Sequence, residues 1–210
     1  MNQEFVFANN NGARLNVKDC IIKCFIVFAL LTFILGIVYP YATTFTANIL
    51  FTEKAQGSLI KDKQGNILGS KYLGQDFSKD KRLFESRPSA SSYSANLSAA
   101  SNFAVHSDRQ ISLIKERAQH VQNKFNIKNN IPSDMLTASA SGLDPHISYK
   151  NAVLQSKYVA KINNLSLNDV QKLIDKNSKS EFLSKDKIVN VVLLNIDLLN
   201  LIDKGKSHLK

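Results

Sequence analysis

The side chains that could do chemistry in this 210-residue chain are few and spaced badly for it. Gly65-Asn66-Ile67-Leu68-Gly69-Ser70-Lys71 has the look of a phosphate-binding loop. That loop needs four residues between its glycines, Lys ahead of Ser or Thr, and a strand before and a helix after it. Here three residues separate the glycines, the order is Ser-Lys, and a strand-like run follows, so a hairpin is the reading. Asp62-Lys63-Gln64-Gly65-Asn66 echoes an Asp-Lys-Thr-Gly-Thr sequence whose aspartate accepts a phosphoryl group, but both threonines are missing and a turn is expected instead. His106, His120, His146 and His208 stand at no i, i+4 spacing from one another and beside no Cys or paired carboxylate, so the spacing supports no metal site. Serines are abundant, yet no Gly-x-Ser-x-Gly elbow occurs and paired carboxylates are scarce. The chain is not expected to be an enzyme in its own right.

Composition narrows the classes further. With 44% hydrophobic and 21% charged residues the chain is neither mainly disordered nor a multi-pass transporter. The 27 Lys and Arg exceed the 17 Asp and Glu, but only five are Arg, there is no Trp, and basic and aromatic residues do not interleave, which argues against nucleic acid as a partner. From Cys24 to Val38 the sequence reads CFIVFALLTFILGIV, and no charge falls between Lys23 and Glu53. Such a run is long enough to cross about 30 Å of hydrocarbon, so residues 20–41 are expected to be a transmembrane helix. A removable signal peptide fits less well, because 19 residues precede the run and no clean cleavage pattern follows it. Arg14, Lys18 and Lys23 before the span put residues 1–19 in the cytoplasm, and the rest of the chain outside it. Tyr39 and Tyr41 suit the outer interface, and Pro40 is expected to end the helix. Cys20 and Cys24 both lie on the span, so the outer part cannot depend on disulfides.

Residues 42–56 read as a connector and 57–210 as a soluble extracytoplasmic domain. Gly57–Ile60 and Ile67–Leu73, joined by a Gly/Asn turn, predict a hairpin, and the Ser- and Ala-rich stretch from Arg87 to Ser101 predicts a long loop. Asp108 is expected to cap a helix whose stripe is Ile111, Ile114, Ala118, Val121 and Phe125. Met135–Ala140 reads as a short strand, and Ser148 as the cap of a helix to about Ile162. Ser166 with Asp169 opens a third helix whose buried face is Leu167, Val170, Leu173 and Ile174, and Val189–Ile196 reads as a buried strand. The order predicts a mixed α+β domain behind a single N-terminal transmembrane helix.

Several fragments taken in order carry a resemblance. They are GSLI at 57–60, GSKYLGQDF at 69–77, RPSA at 87–90, SNFA at 101–104, LTASASGLDPHIS at 136–148, Gln155, VAKINNLS at 159–166 and VNVVLLNIDL at 189–198. Together they resemble the C subunit of the Kdp-type potassium-transporting ATPase, with RPSA and TASASGLDPHIS the specific segments. Two departures stand out: Ala99-Ala100 replaces a common glycine pair, and the segment before the span is longer than usual for the family.

The resemblance implies a non-catalytic subunit of a bacterial inner-membrane complex that takes up potassium at the expense of ATP. The implied partners are an ATP-hydrolysing P-type subunit, a channel-like potassium-binding subunit, a small single-helix subunit and membrane lipid. ATP and K+ would be handled through the complex, with no cofactor of the chain's own. The implied role is that of a catalytic chaperone that raises ATP affinity, with Gln155 contacting nucleotide. An external domain conflicts with that contact, and linkage through a conformational equilibrium is the alternative route. A basic domain beside a cation entrance would need acidic groups facing the path, which makes Glu85 and Asp144 candidates, with Arg87 and His146 as interface residues beside them. Two other readings stay open: an anchored hydrolase using the Ser89–Ser101 loop, and a module that binds acidic polymers through the net +9 of residues 42–210 (24 Lys and Arg less 15 Asp and Glu).

Overall fold

In the computed structural model the described residues are 7–8, 14–15, 17–62, 64–127, 129–180 and 186–207, and the chain divides into two units, Met1–Gly57 and Ser58–Lys210. His208 and Lys63 lie outside the described residues.

The first unit opens with a short antiparallel pair, β1 (Phe7–Ala8) and β2 (Arg14–Leu15). A single apolar helix of 34 residues, Val17–Leu50, follows. It consists of α1 (Val17–Phe33), a π-helical segment Ile34–Val38, and α2 (Tyr39–Leu50). At ~1.5 Å per residue it is ~50 Å long, more than the ~30 Å of a hydrocarbon core. Pro40 does not end the helix as expected. The π segment, in which the Tyr39 N–H reaches back five residues to the Ile34 carbonyl, absorbs the missing proline N–H. Past it, Thr43 Oγ1 bonds the Tyr39 carbonyl (2.9 Å), Thr46 Oγ1 that of Ala42 (2.8 Å) and Asn48 Nδ2 that of Thr44 (2.9 Å), so the polar side chains are satisfied by their own helix. One further turn, α3 (Thr52–Ala55), completes the unit.

The second unit begins with the expected hairpin, β3 (Leu59–Lys61) against β4 (Ile67–Ser70), with a bulge after Ile60. Asp62 builds the turn by accepting from Gln64 N and Asn66 N through Oδ1. Residues 71–107 then run without helix or strand. Helix α4 (Asp108–Phe125) is capped by Ser107, whose hydroxyl accepts from Gln110 N, and not by Asp108, which sits in the first turn where its charge still suits the dipole. Its stripe buries Val121 and Phe125 while Ile111, at the opposite end, stays exposed. The expected strand at Met135–Ala140 is absent. Pro132, Ser133 and Asp134 start a single helical turn, α5 (Ser133–Leu136), and residues 137–145 hold no strand. Strand β5 (His146–Ser148) leads into α6 (Tyr149–Asn163), capped by Ser148, and Ser166 caps α7 (Leu167–Lys176), both as expected. Leu167 differs from the expected buried face: Val170 and Ile174 carry the burial and Leu167 is exposed.

Strands β6 (Ser178–Ser180) and β7 (Lys187–Asn190) follow, and β7 lies between β5 and β6 in an antiparallel sheet of three strands. The apolar run at 189–196 is strand only to Asn190; Val191 opens α8 (Val191–Ser207). Asn190 causes the switch, because its Oδ1 accepts from Leu193 N (3.1 Å) as an N-cap does. The main core joins α6, α7, α8 and the sheet through Val159, Val170, Ile174, Val189, Leu194 and Leu198, with Phe84 wholly buried among them. A smaller cluster of Val121, Phe125, Ile127 and Met135 packs beneath α4, where Phe125 meets Tyr158 edge to face at 5.4 Å.

Candidate functional site

The segment from Leu83 to Ser101 has no regular structure, and two buried amide side chains fix where it enters. Asn195 on α8 accepts from Phe84 N (2.9 Å) and donates to Phe84 O (2.9 Å). Gln155 on α6 does the same one residue on: its Oε1 accepts from Glu85 N (2.8 Å) and its Nε2 donates to Glu85 O (3.1 Å). Each amide matches the main chain as a neighbouring strand would, which satisfies the main-chain groups of Phe84 and Glu85 where the irregular segment packs against the core. Both side chains are 1% exposed. The second hydrogen of Gln155 Nε2 goes to Asn151 Oδ1 (2.8 Å), and Asn151 Nδ2 goes on to Asp134 Oδ2 (3.0 Å). Asp134 also accepts from Ser148 N (2.7 Å) at the start of α6, where a carboxylate suits the helix dipole.

The Glu85 side chain faces α4. His120 Nε2 lies 3.2 Å from both of its oxygens, and Lys124 forms an ion pair with it while its ammonium lies 5.4 Å from the Phe125 ring centroid and 5.5 Å from that of Tyr158. Glu85 and Gln155 also line a cavity of about 430 Å³ with Asp76, Tyr93, Glu116 and Arg117. Burial, with the charges of Asp76 and Glu85, pushes the Tyr93 phenol well above its ordinary value, so it serves as a donor, and it bonds the Arg87 carbonyl. Burial lowers Arg117 from its usual value, and its Nη1 donates to Leu136 O (2.8 Å).

The remaining candidates form a second group. Arg87 Nη1 pairs with Asp144 Oδ2 at 3.3 Å, and Asp144 Oδ1 accepts from His146 N (3.0 Å) and lies 3.1 Å from His146 Nδ1. Burial works against the Asp144 charge, but the hydrogen bonds from His146 and the charges of His146 and Arg87 hold its carboxyl below the usual carboxylate value. Around this pair the RPSA and TASASGLDPHIS segments lock together. Ser139 N donates to Pro88 O (3.1 Å), Ser89 Oγ to Gly142 O (2.6 Å), Ser91 Oγ to the same carbonyl (3.2 Å), and Ala99 N to Ser141 O (3.0 Å). Gly142 has φ +70°, and a Cβ there would run into Ser91 Oγ and come within 2.8 Å of Ala99 O.

The five candidates therefore fall into two groups, Glu85 with Gln155 and Arg87 with Asp144 and His146. Sequence reasoning missed His120, Lys124, Asn151, Asp134 and Asn195, which hold Glu85, Gln155 and the adjoining Phe84. For Asn195 a signal existed: it is the polar residue inside the apolar run VVLLNI. The hydroxyls of Ser89 and Ser91 donate to a carbonyl, and among the described residues no serine is hydrogen-bonded to a histidine. The arrangement locks backbone in place and pairs its charges internally.

Similarity to known proteins extends over most of the chain. The family model described as "KdpC: K+-transporting ATPase, c chain" matches residues 21–200. The chain belongs to the KdpC family. A potassium-transporting ATPase KdpC subunit from Caldanaerobacter subterraneus subsp. tengcongensis is 43% identical over 190 residues, covering 89% of this chain and 96% of its own length. The KdpC subunit of Pectobacterium atrosepticum is 40% identical over 178 residues, 82% of this chain and 92% of its own. That of Herminiimonas arsenicoxydans is 37% identical over 188 residues, 87% of this chain and 98% of its own. As a member of this family the chain is an accessory subunit of a K+-transporting ATPase and not its catalytic subunit. The apolar helix Val17–Leu50 makes it membrane-anchored.

Proposed function

We propose that the chain is anchored by Val17–Leu50 in the bacterial inner membrane with residues 58–210 outside the cytoplasm, and that this domain stabilises the complex and raises ATP affinity of the hydrolysing subunit by linkage. The observation that carries this is the charge pattern of the helix in a KdpC-family chain: Lys18 and Lys23 stand at its N-terminal end, and no charge follows until Glu53. ATP and K+ are bound by partners, the P-type subunit and the channel-like subunit, with the small single-helix subunit completing the assembly. A domain that favours one conformation of the complex changes nucleotide affinity without touching nucleotide. Both amide hydrogens of Gln155 already go to protein acceptors, so a nucleotide would have to displace the Glu85 main chain or Asn151. We therefore assign Gln155 to holding the Glu85 segment. Glu85 and Asp144 have internal cationic partners, and with Arg87 and His146 they shape the surface that meets the channel-like subunit rather than attracting K+ as bare charges.

The test of topology is labelling of intact cells with a membrane-impermeant maleimide. In a chain carrying Cys20→Ser and Cys24→Ser, a cysteine placed at exposed Gln119 on α4 is expected to label without permeabilisation. Labelling only after permeabilisation would put the domain in the cytoplasm and remove the case for linkage across the membrane.

A further inference from the structure

Away from the Glu85 cavity, a small concavity of about 90 Å³ is lined by Lys71, Lys176, Lys179 and His146 together with Tyr72 and Asn190. With ~30 Å³ for each liquid water, it has room for about three waters or a single tetrahedral oxyanion, and not for a nucleotide. No carboxylate lines it. Asp197 offsets Lys176 at 2.9 Å and Asp144 faces His146, but no ion pair involves Lys71 or Lys179 among the described residues. The fold brings these cations together by specific bonds. Asn190, at the strand-to-helix switch, donates to Lys71 O (2.8 Å), while β6 pairs with β7 and so places Lys179 opposite Ile188.

The surface beside this concavity is apolar. Tyr72, whose ring lies 5.8 Å below the Lys71 ammonium, is exposed, as are Ile67, Leu68 and Leu59 on the adjoining hairpin. Exposed apolar side chains beside lysines that form no ion pair among the described residues are the pattern of a surface that meets lipid headgroups. The chain itself limits how far this surface can stray. Seven residues separate Leu50 from Ser58, whose carbonyl accepts the Lys71 N–H at 3.1 Å, a tether of under ~30 Å at full extension. We propose that the concavity is a phosphodiester site for an anionic phospholipid of the membrane that holds the apolar helix, with the hairpin's apolar side chains meeting the region next to the headgroup. The site depends on the membrane anchor, and not on which face of the bilayer the domain occupies or on its effect on ATP affinity.

The experiment is limited acetylation of the intact complex in nanodiscs, with each lysine followed by mass spectrometry. In nanodiscs containing phosphatidylglycerol, Lys71 and Lys179 are expected to react about fivefold more slowly than in phosphatidylcholine, the effect of roughly one favourable basic contact with an anionic surface. Lys54 on the tether reports the general surface effect and Lys157 on α6 the bulk rate, and both are expected to change less. Millimolar inorganic phosphate added to phosphatidylcholine nanodiscs is expected not to reproduce the protection. The proposal is overturned if the pocket lysines slow no more than Lys54. It is overturned equally if inorganic phosphate alone gives full protection and phosphatidylglycerol adds none, which would make the concavity a site for free anions.

Discussion

Gln155 and Asn195 do one job from two helices, and that equivalence separates the possible roles of Gln155. Truncating either leaves an N–H and a C=O without partners, those of buried Phe84 or of half-buried Glu85, at ~1–3 kcal/mol for each orphaned group. With ~2–4 °C per kcal/mol for a domain of this size, Gln155→Ala and Asn195→Ala are each expected to lower the Tm of the detergent-purified chain by roughly 5–10 °C. In the assembled complex the two variants are expected to raise the half-saturating ATP concentration by similar factors. A shift with Gln155→Ala alone would mean that Gln155 contacts nucleotide. Asp144 gives a pH signature. Its carboxyl is held below the ordinary value of 3.8, so its contribution to stability is present above about pH 4 and is lost as pH falls through the lower folded-state value. Asp144→Asn is expected to lower Tm at pH 7 and to narrow its gap to the parent below pH 4. A gap unchanged across that range would contradict the Arg87–Asp144–His146 account. At this scale little beyond the residue identities was legible. The partners of Glu85 stand 35, 39 and 70 residues away, and no local pattern encodes such pairings.

Elements were more legible, and the misreadings have physical causes. The caps at Ser148 and Ser166 were readable because a hydroxyl there bonds the N–H three residues on, a local event. The run at 189–196 was not, since continuous apolar residues suit a buried strand and a buried helix alike, and only Asn190 marks the change. Asn190→Ala removes both the cap and the bond to Lys71 O, so it is expected to cost more than the ~1 kcal/mol of an ordinary cap such as Ser107. Thermal unfolding of Asn190→Ala beside Ser107→Ala checks this, and equal losses would contradict it. Met135–Ala140 was misread because the helix-start residues Pro132, Ser133 and Asp134 precede it and a single turn leaves no periodicity to detect. The stretch at Arg87–Ser101 was correctly read as a loop, but its locking against residues 139–144 could not be. Gly142→Ala needs φ +70° with a Cβ against Ser91, so it is expected to free this loop and speed limited proteolysis between Ser89 and Ser101 several-fold relative to the parent.

At the scale of the whole molecule, a locked accessory domain on a long apolar helix suits a subunit that acts by favouring one state of its partners. Coupling of this kind is worth ~1–3 kcal/mol, or roughly 5–150-fold in affinity, and it is reciprocal: potassium or nucleotide that favours the same state should tighten the hold of this chain on the complex. Softening the lock with Gly142→Ala is expected to reduce the coupling without changing the ATPase rate at saturating ATP, because a subunit acting by linkage alone supplies no group to the reaction. The decisive measurement is potassium-stimulated ATP hydrolysis, titrated with ATP, by the complex purified through a tag on this chain and by the complex assembled without it. The account predicts co-purification of an active pump and a half-saturating ATP concentration at least about fivefold higher when the chain is absent. A chain that purifies alone, or a pump with the same ATP dependence with and without it, would contradict it.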